Sequence, residues 1–328
     1  MSITPSVQFR KDSALLEWWR TQSGTAEAGT IRLQAVVKGG SVRRFYRIQV
    51  DGESRGILME YSPEKEENHV FAEVARFLSC LGVPVPEIFV HDPQNHLMWL
   101  EDLGDCDLES YCARNHHDRM AVYRKVIGAI LPLWQCTEIP DGLRTMPEFD
   151  ARLYRWERDY YFDHHLKRLA PGRDESCREA LHQALRPWEE RLLNGPTGLV
   201  HRDFQSHNIM VREGQPGFVD FQGMRVGCWI YDLVSLLWDP YMDLGDGVRQ
   251  ILVAEAAEAM KWSGSATEWR QLVLAAGMQR LMQALGAYGF LGEELGKKEF
   301  LQYVPVASSR LAVLAQEAGC EKQVVPGG

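Results

Sequence analysis

The chain has 328 residues, 45% of them hydrophobic, with 36 Lys and Arg against 45 Asp and Glu and a formal charge of −9. That length can hold two lobes with substantial cores, and the acidic balance argues against a nucleic-acid partner. The start lacks a basic stretch followed by an apolar run, no apolar segment is long enough for a bilayer, and seven cysteines are scattered without a C-x-x-C pair; these features predict a cytoplasmic protein with free thiols and no membrane partner, and they name no protein partner.

In chain order, residues 12–24 predict a leading helix carrying Trp18 and Trp19. Strand-like stretches follow at Ile31–Val37, Phe45–Val50 and Gly56–Tyr61. Pro63 can open a helix, and Glu64, Glu66 and Glu67 suit its positive end. Phe71, Val74, Ala75 and Leu78 recur at helical spacing and predict its apolar face. Ile88–Val90 and His96–Leu100 read as two more strands. Polar, glycine-containing Glu101–Asp105 marks the boundary with a helix-rich remainder, with helices expected over 117–136, 174–193, 247–262, 266–285 and 304–317. Residues 152–166 are amphipathic and rich in aromatic side chains.

The chemistry concentrates in Leu199-Val200-His201-Arg202-Asp203-Phe204-Gln205-Ser206-His207-Asn208 and in Val219-Asp220-Phe221-Gln222. The first stretch fits H-R-D-x-x-x-x-N, a phosphoryl-transfer pattern. Asp203 is read as the group that orients an acceptor hydroxyl and takes its proton. Asn208 and Asp220 are read as oxygen ligands of Mg2+ on the phosphates of ATP. Apolar pairs on either side of the Glu213–Gly217 turn predict a hairpin that brings Asn208 and Asp220 together. His201 is expected to support the loop. His207 admits either a ligand contact or a satisfied loop histidine. Gly39, Gly40, Ser41, Arg43 and Arg44 lie between two predicted strands and are read as a phosphate-covering hairpin, an ordinary turn being the alternative.

These motifs, with Leu58-Met59-Glu60, Leu100-Glu101-Asp102-Leu103-Gly104-Asp105 and Tyr231-Asp232-Leu233, resemble the aminoglycoside phosphotransferase superfamily, in its bacterial branch of anomeric sugar kinases. The resemblance implies an α+β, protein-kinase-like two-lobed fold. It implies a small mixed lobe over 1–101, a hinge over 102–105 and a helical catalytic lobe over 106–328. It makes Glu101, Asp102 and Leu103 the adenine-meeting segment and Asp232 the brace of the catalytic loop. It further implies direct transfer from ATP to the C1 hydroxyl of a sugar, N-acetylmuramate or N-acetylglucosamine, in cell-wall sugar recycling. The lysine that many kinase-fold enzymes carry on the third strand is missing from Ile57-Leu58-Met59-Glu60. Arg43, Arg44 and Lys65 are the possible substitutes, and Glu67 and Glu73 are candidates for the helix glutamate that usually pairs with it.

Glu157, Arg158, Tyr161, His165, Asp239 and Tyr241 are candidate acceptor contacts, since polar groups can read sugar hydroxyls and a ring can cover the sugar's apolar face. For Tyr161 and Tyr241 a core role is the alternative, and for Asp239 a turn before Pro240. The competing functions are a kinase for an unacetylated sugar, an aminoglycoside, choline or homoserine, and a non-catalytic kinase-fold binding protein.

Overall fold

The computed structural model describes residues 11–24, 29–36 and 43–325. The first lobe is a five-stranded antiparallel sheet in the order β1-β2-β3-β5-β4. Its strands are β1 (Ile31–Val36), β2 (Arg44–Val50), β3 (Glu53–Glu60), β4 (Ile88–Asp92) and β5 (Leu97–Leu100). The strand period of two sends alternate side chains to opposite faces. One face, with Tyr46, Ile48, Val50, Leu58 and Leu97, packs on Leu15 and Trp19 of helix α1 (Asp12–Ser23). The other presents Met59, Met98 and Leu100 to helix α2 (Glu66–Cys80). Phe71, Val74, Ala75 and Leu78 form the buried side of α2, as their spacing predicts.

The chain leaves β5 through residues 101–106 and enters a mainly helical lobe. Arg47 on β2 holds this segment. Its guanidinium donates to Asp102 Oδ2 at 2.6 Å and to Asp105 Oδ2 at 2.7 Å, and Ser54 Oγ donates to Asp102 Oδ2 at 2.5 Å. Main-chain bonds from Val211 to Cys106 (2.7 Å) and from Phe218 to Pro84 (2.7 Å) tie both sides of the crossing to one hairpin. That hairpin, β7 (Ile209–Arg212) and β8 (Gln215–Phe218), sits where the sequence predicts one; β6 (Thr197–Val200) pairs with β9 (Arg225–Cys228) beside it.

Helices α3 (Leu108–Arg114), α4 (Arg119–Trp134), α5 (Ala151–Tyr161), α6 (Lys167–Leu169), α7 (Glu175–Leu193), α8 (Ile230–Leu237), α9 (Asp246–Ala259), α10 (Ala266–Gly289), α11 (Val304–Glu317) and α12 (Glu321–Val324) complete the chain. The α10 helix starts at a capping box between Ser265 and Glu268 and is buried on nearly all sides. It runs four residues past the expected end at 285. Gly286 and Gly289 let the backbone of 160–164 approach so closely that a methyl group at Gly289 would sit 1.9 Å from the His164 carbonyl oxygen. Among the described residues no helix is long and apolar enough to cross a membrane.

Candidate active site

Asp203 lies in the loop that follows β6. Two main-chain N–H groups of that loop, His201 and Arg202, donate to Asp232 at 2.6 and 2.9 Å, and the Trp134 indole N–H donates to the same carboxylate at 3.1 Å. Asp232 is fully buried on α8. Burial pushes its carboxyl above the usual range, against the hydrogen bonds it accepts. Arg202 adopts φ 79°, a left-handed conformation unusual for a non-glycine residue. The paired N–H bonds to Asp232 hold it there. Ahead of the loop, β6 lies hard against α4: a methyl group on Gly198 would come 2.0 Å from the Trp134 carbonyl oxygen.

The loop and the hairpin interlock. His201 Nε2 lies 3.0 Å from the Val219 carbonyl, so this nitrogen carries the proton. Val219 N–H donates to the Asn208 carbonyl at 3.0 Å, and Asn208 Nδ2 donates to the Asp203 carbonyl at 2.9 Å. With its nitrogen so committed, the Asn208 side chain offers its carbonyl oxygen as the remaining ligand atom. Asp220 follows Val219 in a left-handed conformation, φ 65° and ψ 31°. Phe221 beyond it packs on Phe71 of α2, ring centroids 4.8 Å apart. An amide oxygen and a carboxylate are hard donors of the kind magnesium takes when phosphates complete its shell, so this pair fits that ion.

Two arginines, Arg202 half-buried and Arg280 buried, flank Asp203. Arg202 Nη1 is 3.2 Å from one carboxylate oxygen and Arg280 Nη2 is 3.8 Å from the other. Burial alone would raise the Asp203 carboxyl; the charges of Arg202 and Arg280 outweigh it and hold the group below the usual carboxylate range. Glu157 stands behind this pair, 0% exposed. It accepts from the Tyr231 hydroxyl at 3.1 Å and Gln279 Nε2 at 2.9 Å and lies 3.8 Å from Arg202.

Of the residues read as nucleotide contacts, Gly39, Gly40 and Ser41 fall outside the described residues. Arg43 Nη2 donates to Asp220 Oδ1 at 2.6 Å, and Gln222 Nε2 donates to the same oxygen at 2.8 Å. Arg44 faces buried Glu60 at 3.6 Å across the β2–β3 register. Lys65 lies 3.9 Å from Glu67, and Glu73 accepts from Arg144 at 2.9 Å. Glu101 N–H donates to the Glu87 carbonyl at 2.8 Å, Arg212 bonds the Glu101 carboxylate, and the Asp102 carbonyl accepts from Arg212 at 3.2 Å. Leu103 packs against Gly217 of the hairpin.

The proposed acceptor contacts divide. Asp239 is buried and accepts from Ser206 N–H at 2.6 Å and Tyr241 N–H at 3.1 Å, so its carboxylate anchors the turn before Asn208. Tyr241 stacks on His207 with centroids 3.9 Å apart and meets Tyr303 edge-on at 4.4 Å. His207 Nε2 is 2.5 Å from Glu109 Oε2. These rings form a wall beside the loop. Arg158 points instead to α7, where it pairs with Glu189, and the Tyr161 hydroxyl donates to the Val324 carbonyl at 2.7 Å. Both are buried and spent on packing, as is His165, stacked on Tyr161. Sequence reasoning missed Arg280, Gln205 and Gln283. Arg280 and Gln283, with Gln279, interrupt the apolar stretch that α10 carries from Leu272 onward, and that interruption was the available signal.

The phosphotransferase enzyme family matches residues 32–271 of this chain. The N-acetylmuramate/N-acetylglucosamine kinase of Pseudomonas aeruginosa is 24% identical over 306 residues, covering 90% of this chain and 86% of that protein. The protein of the same description from Pseudomonas putida is 26% identical over 293 residues, covering 86% and 82%. Among solved structures, choline kinase from Cryptosporidium parvum superposes with a TM-score of 0.65 at 9% identity, covering 96% of this chain and 98% of its own. The ADP-bound aminoglycoside phosphotransferase APH(2'')-Ib superposes with a TM-score of 0.62 at 14% identity, covering 92% and 99%. With a two-lobed kinase-like fold and a family match over well more than half its length, this chain belongs to the phosphotransferase enzyme family and is a small-molecule kinase.

Proposed function

We propose that this protein phosphorylates the C1 hydroxyl of an N-acetylated sugar, N-acetylmuramate or N-acetylglucosamine, using ATP and Mg2+. The observation that carries the chemistry is the convergence of Asp203, Asn208 and Asp220 on one interlocked loop and hairpin. Asp203 orients the acceptor hydroxyl and takes its proton. The acceptor oxygen–phosphorus bond forms as the bond from the γ-phosphorus to the bridging oxygen of ADP breaks, with no phosphoenzyme between. Asn208 and Asp220 hold the ion, which when bound neutralises charge on the phosphates. Arg43 stands where the phosphates come, and the Leu103 peptide, within a hinge over 102–105, meets adenine.

The curated relatives support the sugar as acceptor, and the wall of His207, Tyr241 and Tyr303 suits the apolar face of a sugar ring. The same wall favours a second reading, a choline-type acceptor, because stacked rings also attract a quaternary ammonium. Arg280 beside Asp203 weighs against a cation there. Acceptor-dependent ADP release, with N-acetylmuramate, N-acetylglucosamine, glucose, choline and kanamycin and phosphorus NMR of the product, tests the assignment. A C1 phosphate on an N-acetylated sugar is expected; turnover confined to choline or kanamycin overturns it.

A further inference from the structure

We infer that Arg280 is a specificity-determining residue that binds a carboxylate carried by the acceptor, so that an acidic sugar is preferred over its neutral counterpart. The inference rests on the sugar-kinase reading and adds to it the charge of the substrate and the residue that reads it.

Arg280 projects from α10 and is 7% exposed. Its Nε–H donates to Ser235 Oγ at 2.9 Å, Nη1 to Gln283 Oε1 at 2.5 Å and Nη2 to Gln205 Oε1 at 3.1 Å. All three acceptors are neutral. Among the described residues its ion-pair neighbour within 4 Å is Asp203, at 3.8 Å, longer than a hydrogen bond. Arginine has five N–H donors. Three are fixed by these bonds, which lock the guanidinium in place and leave two, one on each terminal nitrogen. Two is the number a carboxylate takes in a paired contact. Its hydrogen-bond acceptors are all neutral and its carboxylate neighbour stands beyond hydrogen-bond range, so an anion that arrives with the substrate adds charge-assisted bonds that the buried cation otherwise lacks.

The position suits such an anion. Gln205, which Arg280 touches, lies two residues after Asp203 in the same loop. Tyr241, stacked on His207 two residues further along that loop, has its ring centroid 6.2 Å from that of buried Tyr288. A hydroxyl held on Asp203 and a ring against Tyr241 therefore leave a third point of contact at Arg280. A positively charged acceptor meets repulsion at that point, whereas a neutral one leaves the two N–H groups without an anion.

The test compares N-acetylmuramate with its methyl ester, which keeps the shape and removes the charge, and with N-acetylglucosamine. In the unaltered protein kcat/KM for the acid should exceed that for the ester by about 10-fold to 100-fold, the range for a hydrogen bond to a charged group. In Arg280→Gln the acid-to-ester ratio should fall towards one, and Arg280→Lys should restore part of it. Because the ratio is first read on the unaltered protein, a poorly folding variant does not compromise the test. Turnover of N-acetylglucosamine with the ester as good as the acid overturns the role of Arg280 and leaves the sugar reading standing. Turnover of glucuronate in preference to glucose, with no N-acetylated sugar accepted, supports Arg280 and overturns the N-acetyl assignment.

Discussion

Arg43 Nη2 lies 2.6 Å from Asp220 Oδ1, so the residue just ahead of β2 reaches across the cleft to the turn that follows β8. The Arg43 side chain is 6% exposed, against 40% for Asp220. The contact bears on the missing third-strand lysine. Arg44 is turned to Glu60 and Lys65 to Glu67, which leaves Arg43 as the candidate placed beside the carboxylate that would grip the ion. Arg43→Ala should raise KM for ATP about 10-fold or more, the loss of one charge-assisted contact to phosphate. The acceptor KM should move much less, and Arg43→Lys should recover part of the loss. Steady-state kinetics with ATP varied at saturating acceptor decides the point. An unchanged KM for ATP would remove Arg43 from phosphate binding.

Asp203→Asn keeps the shape of the side chain and the bonds of its main chain while removing the carboxylate proposed to accept the proton. With Arg202 and Arg280 still close by, the loop should hold its form. We expect kcat to fall by about 10²-fold to 10⁴-fold, the usual contribution of a positioned acid or base. Nucleotide affinity, measured by titration calorimetry with Mg2+ present, should stay within about threefold, since an alteration this small to a group off the phosphates is worth less than ~1 kcal/mol. Loss of nucleotide binding in this variant would show that Asp203 serves the phosphates.

Asp232 makes a prediction about folding. It accepts two main-chain N–H groups and an indole N–H in a site closed to water. Replacing it with Ala leaves three buried donors unsatisfied, at about 1–3 kcal/mol each before relaxation. Asp232→Ala should therefore lower the unfolding free energy by roughly 3 kcal/mol or more, read as a lower urea midpoint. Retention of the midpoint with loss of activity would contradict a bracing role.

What the sequence could express was local. Short strand-like stretches predicted the sheet, the Phe71–Leu78 spacing predicted the buried face of α2, and flanking apolar pairs predicted the hairpin that joins Asn208 to Asp220. Each signal is carried by residues close in the chain. Helix α8 is buried at all eight positions and so has no polar face for periodicity to detect. The acceptor residues were harder for a related reason. Glu157, Arg158 and Tyr161 share helix α5, yet Glu157 meets Arg202, Arg158 meets Glu189 of α7, and Tyr161 reaches Val324 of α12. Which direction faces the cleft depends on partners 31 to 163 residues away. The clamp of Arg47 on Asp102 and Asp105 is equally remote, spanning 55 and 58 residues.

His165 supplies a pH dependence unrelated to catalysis. It is 4% exposed, stacked on Tyr161, and its Nε2 is buried. Burial, with a smaller contribution from Arg168, pushes its pKa down to about 4. In the unfolded chain the imidazole returns to an ordinary value of about 6.5. As pH falls through that value the unfolded chain gains a proton that the folded chain refuses, so stability declines, and the decline continues until the folded group titrates near pH 4. The effect is absent well above pH 6.5 and should reach about 2 kcal/mol at pH 5. His165→Phe removes the titrating group and keeps an aromatic ring against Tyr161. Its stability relative to the unaltered protein should therefore improve by that amount between pH 7.5 and pH 5, whatever constant offset repacking introduces. Urea unfolding of both proteins at the two pH values isolates the difference, and a parallel decline in the two would mean that His165 is protonated at little cost in the folded state.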